Sequence, residues 1–182
     1  MAGERMIMRR VWAMPNADTF SVKPIGEFVR KYLAKSKVSI DPFARNKRWA
    51  THTNDLSPDT KAISHQAADY LLEGLVTASV RADLVLFDPP YSLRQCKEVY
   101  ESVGRTVTMK DTQDWIKWPR ERNAINQLLT PDGVVLSFGW NSNGMGKTRG
   151  FELIEVLLVC HGSGHNDTIC IAERKQQMGL GE

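Results

Sequence analysis

A run of four apolar residues, Leu84-Val85-Leu86-Phe87, breaks abruptly into Asp88-Pro89-Pro90-Tyr91, and this junction restricts the fold more than any other stretch of the chain. The run has the length and composition of a buried strand. The polar group begins where a strand of an open α/β sheet ends, and ligands in such sheets bind outside the carboxyl ends of the strands. Each proline fixes its own φ, lacks an N–H and biases the residue before it towards extended backbone. The carbonyls here are therefore acceptors with no competing donor between them. The Asp88 carboxylate and the Pro89 carbonyl can each accept one hydrogen of an exocyclic NH2 group, and Tyr91 can stack on the ring that carries it. Four residues alone are equally compatible with a strand closed by a Pro-Pro turn.

At 182 residues the chain suits one well-packed domain and is short for two. Its 42% apolar and 25% charged residues are those of a water-soluble globular protein. A net charge of +3 permits contact with a polyanion without demanding it. The three cysteines, Cys96, Cys160 and Cys170, have no CxxC spacing and fit a reducing compartment. No apolar run approaches the roughly 20 residues of a membrane span. The start, Met1 to Arg10, has charge but no apolar core behind it, so it does not read as a secretory signal. The expectation is a cytoplasmic protein without a membrane partner.

Apolar spacing predicts a helix over Ile25 to Leu33, with Pro24 in its first turn, then a strand at Val38-Ser39-Ile40 ending at Asp41-Pro42-Phe43-Ala44. A weaker strand end falls at His52 to Asp55. Helices are expected over Asp59 to Leu75, Arg94 to Val103 and Trp115 to Leu129, the last stopped by Pro131-Asp132-Gly133. Val134 to Phe138 reads as a strand and Gly139 to Gly150 as a loop. Phe151 to Val159 and Thr168 to Ala172 form a hairpin-like pair. Strands alternating with helices predict an α/β fold: a mostly parallel sheet with helices on both faces and an antiparallel terminal hairpin. Residues 1–182 read as a single domain with a short insertion at about 92–130, and the tail from Gln176 as loose.

In this order the motifs resemble the amino-methylating DNA methyltransferases that use S-adenosylmethionine, with their Rossmann-like class I methyltransferase fold. Lys23-Pro24-Ile25, a helix and then Ile40-Asp41-Pro42-Phe43 look like that family's Lys-Pro helix running into its first strand and cofactor loop. Asp88 to Tyr91 looks like its catalytic tetrapeptide. Asn54-Asp55 and Ala68-Asp69 stand where the family places cofactor-contacting acids. Ser137 to Ser142 and the closing strand pair resemble small adenine methyltransferases of phages and prophages. The resemblance covers roughly Phe20 to Lys175. It departs at the first motif, where the family continues into a glycine-rich turn and this chain has Ala44-Arg45-Asn46-Lys47. Here Ala44 is small and Asn46 tolerates left-handed backbone, so a tight turn remains open to this sequence.

What the resemblance implies is S-adenosylmethionine as cofactor, DNA as partner and transfer of a methyl group to adenine N6. Catalysis then falls to Asp88, Pro89, Pro90 and Tyr91, with the target base flipped from its stack. An acid, rather than serine, before the prolines favours adenine over cytosine N4. Other N-methylation substrates (RNA, protein) and a non-catalytic cofactor- or DNA-binding protein are the alternatives. The cofactor residues implied are Lys23, Pro24, Asp41, Pro42, Phe43, Ala44, Asn54, Asp55 and Asp69. Asp41 would lie beside the methionine part, Asp55 on the ribose hydroxyls, Asp69 on the adenine amine and Lys23 on the carboxylate or a phosphate. The plainer readings are a turn cap for Asp41, a cap on Ser57-Pro58 for Asp55, a solvated helix face for Asp69, a surface lysine for Lys23 and core for Phe43. Cys160, His161, His165 and Cys170 cluster without the spacing of a zinc site, and no metal is expected.

Two stretches can touch nucleic acid. Lys110, Lys117, Arg120 and Arg122 interleave with Trp115 and Trp118. The glycine-rich loop carries Asn141, Ser142, Asn143, Lys147 and Arg149, with Gly144-Met145-Gly146 as a mobile flap. Both are short for reading several base pairs, so a relaxed recognition sequence is expected, or else a homo-oligomer or a separate recognition subunit.

Overall fold

Along the central strand, side chains alternate between two hydrophobic clusters, Val85 and Phe87 packing on one face of the sheet and Leu84 and Leu86 on the other. Strand side chains have a period of two, and with both faces covered the run reads as continuously apolar. The computed structural model describes residues 5–106, 118–142, 144–162 and 164–177. In chain order these form β1 (Ile7–Trp12), α1 (Lys23–Leu33), β2 (Ser39–Asp41), β3 (His52–Thr53), α2 (Ala68–Thr77), β4 (Ala82–Phe87), α3 (Leu93–Ser102), α4 (Pro119–Leu128), β5 (Leu129–Gly139), β6 (Phe151–Cys160) and β7 (Thr168–Lys175). One sheet contains every strand of the described residues, in the order β1-β6-β7-β5-β4-β2-β3. All pairings are parallel except those of β7, which lies antiparallel between β5 and β6.

Helix α1 covers one face alone, through Ile25, Phe28 and Val29, while α2, α3 and α4 cover the other. Burying each such side chain stabilises the fold by about 1.5–3 kcal/mol. That outweighs the weak helix propensity of Gly26, Phe28 and Val29. Gly26 is required for a different reason: a Cβ there would lie 2.6 Å from the carbonyl oxygen of Phe20. The close approach seats the 3-10 turn Thr19–Ser21 against α1 and carries Thr19 to the site described below.

Three expectations need correction, and β1 is not foreseen from the sequence. The segment Asp59 to Ala67 is not helical. Ile63 and Ser64 donate their backbone N–H groups to the Thr53 carbonyl, and Ser64 bridges Asn54 in parallel. Those donors are spent on the strand rather than on a helical ladder, and Ile63 is left exposed. The described part of the Trp115 to Leu129 helix is Pro119–Leu128, since Leu129 already pairs with Ala82. Pro131 to Gly133 lies within β5 at a register shift, with Asp132 at φ +63°, and does not end an element. The strand β1 carries no apolar alternation because it is an edge strand with mostly exposed side chains.

What holds β1 is Glu155, 2% exposed on β6, which accepts from Arg9 at 2.9 Å, Lys31 at 2.5 Å and the Tyr32 hydroxyl at 2.7 Å. Burial alone would raise its pKa, but the three donors outweigh it and hold the carboxyl below its ordinary value. Breaking a buried charge cluster costs several kcal/mol when the partners are left unpaired; Arg9 and Lys31 are roughly half exposed and re-solvate. Glu155→Ala is therefore expected to destabilise the protein by about 1–3 kcal/mol, lowering Tm by roughly 3–10 °C. Because the folded pKa is depressed, this contribution is present above the unfolded pKa of about 4.3 and fades as pH falls through the folded value. Thermal melts of wild type and variant should converge in that acidic window; a constant gap would contradict the assignment.

Candidate functional site

The chain leaves β2 for β3 on one side, then crosses back to place β4 on the other side of β2. That reversal opens a crevice beyond the carboxyl ends of the two strands. Ile40 pairs with Val85, so Asp41 and the tetrapeptide that follows Phe87 emerge at the same end of the sheet. A cavity of about 560 Å3 lies there, within the range of small-ligand sites. Its walls include Pro42 and Phe43 after β2, Asp55 after β3, Asp88 to Tyr91 after β4, and the segment 15–19 before α1.

The tetrapeptide is held by its neighbours. The Tyr91 hydroxyl donates to Asp88 Oδ1 at 2.5 Å and lies 3.3 Å from the Thr19 hydroxyl. The Tyr91 N–H donates to Gln95 Oε1 at 2.7 Å, from the first turn of α3 that Ser92 caps. The Tyr91 ring meets Trp140 edge-on at 5.7 Å. Burial pushes the Asp88 carboxyl up to about 6, although the Tyr91 and Thr19 hydroxyls and the charge of Arg45 act in the opposite direction. Burial, assisted by Asp88 nearby, also raises the Tyr91 phenol.

Asp41 is 1% exposed and does not itself line the cavity, although its neighbours Pro42 and Phe43 do. Its Oδ1 accepts from the Phe43 N–H at 3.1 Å, while Oδ2 is buried without a hydrogen-bond partner. Burial, with the charges of Asp88 and Asp55 added, lifts its pKa well above the usual carboxylate range. Asp55 accepts from the Arg45 and Ser57 N–H groups at 3.0 and 2.9 Å and still lines the cavity. An acidic pole of this kind suits a cationic ligand. The opposite wall is apolar, with Phe43 and Trp118 in edge contact at 5.4 Å and both packed on Phe87.

The structure does not bring all the sequence candidates to the cavity. Lys23 is exposed on the first turn of α1, and neither it nor Pro24 lines the wall; Val22 and Ile25 do. Ala44 is buried, its N–H donating to the Asn54 carbonyl. The Asn54 amide donates to the carbonyls of Pro42 and Gln66 and accepts from Ser64 and the Gln66 N–H, so it ties loops together instead of facing a ligand. Asp69 turns to Arg120 at 3.8 Å, and the wall beside it is made by Gln66, Ala67 and Ala68. The left-handed residue of the first-motif turn is Arg45, at φ +49°, and not Asn46, whose side chain accepts from the Lys61 N–H.

Several lining residues are not among the catalytic or cofactor residues expected from the sequence: Thr19, Arg45, Gln66, Gln95, Trp118, Trp140 and His161. Thr19 and His161 had no local signal, since they arrive from elements that sequence pattern does not connect to the tetrapeptide. Trp118, placed by the sequence among residues that can touch nucleic acid, is 6% exposed and packs in the core. Lys110, Trp115, Lys117 and Asn143 lie outside the described residues. The Gly144-Met145-Gly146 segment is anchored and not a flap: the Met145 and Gly146 N–H groups donate to the buried Glu173 carboxylate at 2.6 and 2.9 Å, and Met145 is 1% exposed. Cys170 sits in the core, Cys160 accepts from Arg10, and His161 bridges the Ala13 carbonyl and the Thr168 hydroxyl. No described helix is long and apolar enough to cross a membrane.

No protein-family model matches the sequence, and no curated protein matches it. Its likeness is to solved structures. The Burkholderia thailandensis 1,6-didemethyltoxoflavin-N1-methyltransferase, solved with bound 1,6-didemethyltoxoflavin and S-adenosylhomocysteine, superposes with a TM-score of 0.55 at 14% identity, over 88% of this chain and 80% of that one. TrmN from Thermus thermophilus gives 0.54 at 14% identity over 85% of this chain, and NSun6 from Pyrococcus horikoshii gives 0.51 at 15% over 81%. The chain spans 49% and 50% of those two proteins, about half their length. At such identities the likeness is one of fold: the chain has the Rossmann-like class I methyltransferase fold, mostly parallel, with the antiparallel β6–β7 pair.

A carboxyl whose pKa is raised on folding favours the folded state at low pH, and that advantage is lost as pH rises through the folded value. Asp41 and Asp88 both belong to this class, so the unliganded protein should lose stability from about pH 4 upwards and through about 6 for Asp88. Asp41→Asn keeps an acceptor for the Phe43 N–H and removes the buried charge. It is expected to raise Tm at pH 7.5 by roughly 2–4 °C, or about 1 kcal/mol. A fall in Tm would show that the carboxylate is satisfied in the unliganded protein.

Proposed function

We propose that this chain transfers a methyl group from S-adenosylmethionine to the N6 amine of adenine in DNA, with the target base flipped into the cavity. The observation that carries the reading is the shared crevice. Asp88 and Pro89, the amine-accepting pair of this reading, line the same cavity as Asp55, with Asp41 buried just before the lining residues Pro42 and Phe43. The bound cofactor supplies a methyl group on a sulfonium, already a good leaving group, so positioning and electrostatics remain as the protein's task. Asp55 fits the ribose hydroxyls, the Phe43 and Trp118 wall fits the adenine ring, and the concentration of carboxyls at Asp41, Asp55 and Asp88 suits a ligand that brings positive charge.

On the acceptor side, Asp88 and the Pro89 carbonyl each accept one hydrogen of the amine, which frees the nitrogen lone pair from the ring. Tyr91 has two tasks. Its ring offers a stacking face, worth about 1–3 kcal/mol for a base, and its hydroxyl fixes the Asp88 carboxylate. DNA is the acceptor that the tetrapeptide favours, and the TrmN, NSun6 and toxoflavin-pathway likenesses concern fold. Among the described residues of 92–130, α3 and α4 pack on the sheet, and Arg120 pairs with Asp69. That leaves few side chains for base edges. The proposal therefore includes relaxed sequence recognition, binding that weakens steeply with salt, and room for a second copy or a separate subunit to add specificity.

Labelled cofactor, incubated with DNA and purified protein and followed by digestion to nucleosides, is expected to give N6-methyladenine. N4-methylcytosine alone would sink the adenine assignment. Asp88→Ala should lower the rate at least about 100-fold, a loss typical of removing a positioned acceptor, with cofactor affinity nearly unchanged. With Oδ1 engaged by the Tyr91 hydroxyl, ionised Asp88 keeps its other oxygen as an acceptor for the amine, so turnover should rise with pH through about 6. Tyr91→Phe removes a hydrogen bond that favours the ionised form, so its acid limb should move to higher pH. A profile unmoved by that substitution would separate Tyr91 from Asp88.

A further inference from the structure

Apart from the two histidines, Arg45 is the one cation among the described residues that line the cavity, where the charged company is Asp55, Asp88 and Glu98. It occupies left-handed backbone that glycine takes freely and arginine does not. Such conformations persist where the surroundings demand them. The backbone demand is visible: the Arg45 N–H donates to Asp55 Oδ2 at 3.0 Å. A glycine would meet that demand without strain, so the side chain needs its own reason. Its guanidinium donates through Nη1 to the Ala17 carbonyl at 2.5 Å, crossing from the β2–β3 loop to the segment before α1. There it lies close enough to Asp88 and Asp18 to stabilise both carboxylates. One bond to Ala17 uses one of five N–H donors, and the guanidinium fork matches a carboxylate bidentately.

We propose that Arg45 anchors the carboxylate of the cofactor's amino-acid end. This rests on the cofactor reading above and assigns the part that sequence alone gave to Lys23. Elsewhere the cavity's acidic residues repel an anionic group, and Lys23 is on the outer surface. The strained arginine thus replaces a glycine-rich turn with a side chain: the turn is still made, and its side chain reaches into the site.

The test is calorimetry on the full chain with two probes. S-adenosylhomocysteine carries the carboxylate; decarboxylated S-adenosylhomocysteine keeps the amine and lacks only that group. Wild type is expected to bind the first about tenfold more tightly than the second, as a charge-assisted bidentate pair requires. Arg45→Gly, which suits φ +49°, should fold with an equal or higher Tm. It should lose about tenfold for S-adenosylhomocysteine and stay within about twofold for the decarboxylated probe. Arg45→Lys should recover part of the loss, since it restores charge without the fork. Unchanged S-adenosylhomocysteine affinity in Arg45→Gly, or equal losses for both probes, would overturn the assignment while leaving the cofactor reading in place. Wild type that binds neither probe would remove the cofactor reading and the Arg45 assignment together.

Discussion

Parallel pairing of β2 with β4 gathers negative charge at one end of a low-dielectric sheet, and much of the molecule is arranged around that arrangement. Ile40 and Val85 fix the register, so Asp41 and Asp88 leave neighbouring strands on the same side, with Asp55 arriving from β3. Burial and these neighbouring charges raise the cost of ionising Asp41. A fold that keeps such a cluster gives up stability when empty and regains it when a cation neutralises the pole. This is the sense in which function here is written against stability.

Buried polar hubs carry the rest of the architecture. Asn54 ties the loops after β2 and before α2, Glu173 ties the loop before β6, and Glu155 ties β1 and α1 to the sheet. Asp83, only partly buried, does the same for the turn into β2, accepting from the Ser36 hydroxyl and the Lys37 N–H. Each hub is a side chain from one element that satisfies backbone or charge in another. Irregular segments around the crevice are thereby placed as firmly as strands place their own residues, and Thr19, Arg45 and Gln66 reach the cavity from such segments.

This division explains what could be read beforehand. Strand β4, the β6–β7 pair and α1 declare themselves by periodicity, because their side chains are sorted by burial on regular faces. The Asp-Pro-Phe and Asp-Pro-Pro-Tyr strand ends follow, since their position depends only on where the strands stop. Glu155, by contrast, is a glutamate in an apolar run and gives no sign that it holds an edge strand 146 residues away. Ile63 has helical spacing with the buried residues of α2, yet it is exposed, because Asn54 and Thr53 hold the segment before α2 against β3; Tyr70 is helical but on the exposed face of α2. The Met145 segment is glycine-rich and reads as mobile; the carboxylate that pins it comes from β7. Left-handed backbone at Arg45 was the least legible, as the residue types around it pointed to Asn46.

A crystal structure of the full chain grown with S-adenosylhomocysteine would probe the crevice directly. The account predicts ligand density over the carboxyl ends of β2 and β4, with the sulfur facing Asp88-Pro89, the ribose at Asp55 and the adenine against Phe43 and Trp118. Density elsewhere on the molecule, or a crevice that stays empty at saturating ligand, would contradict it.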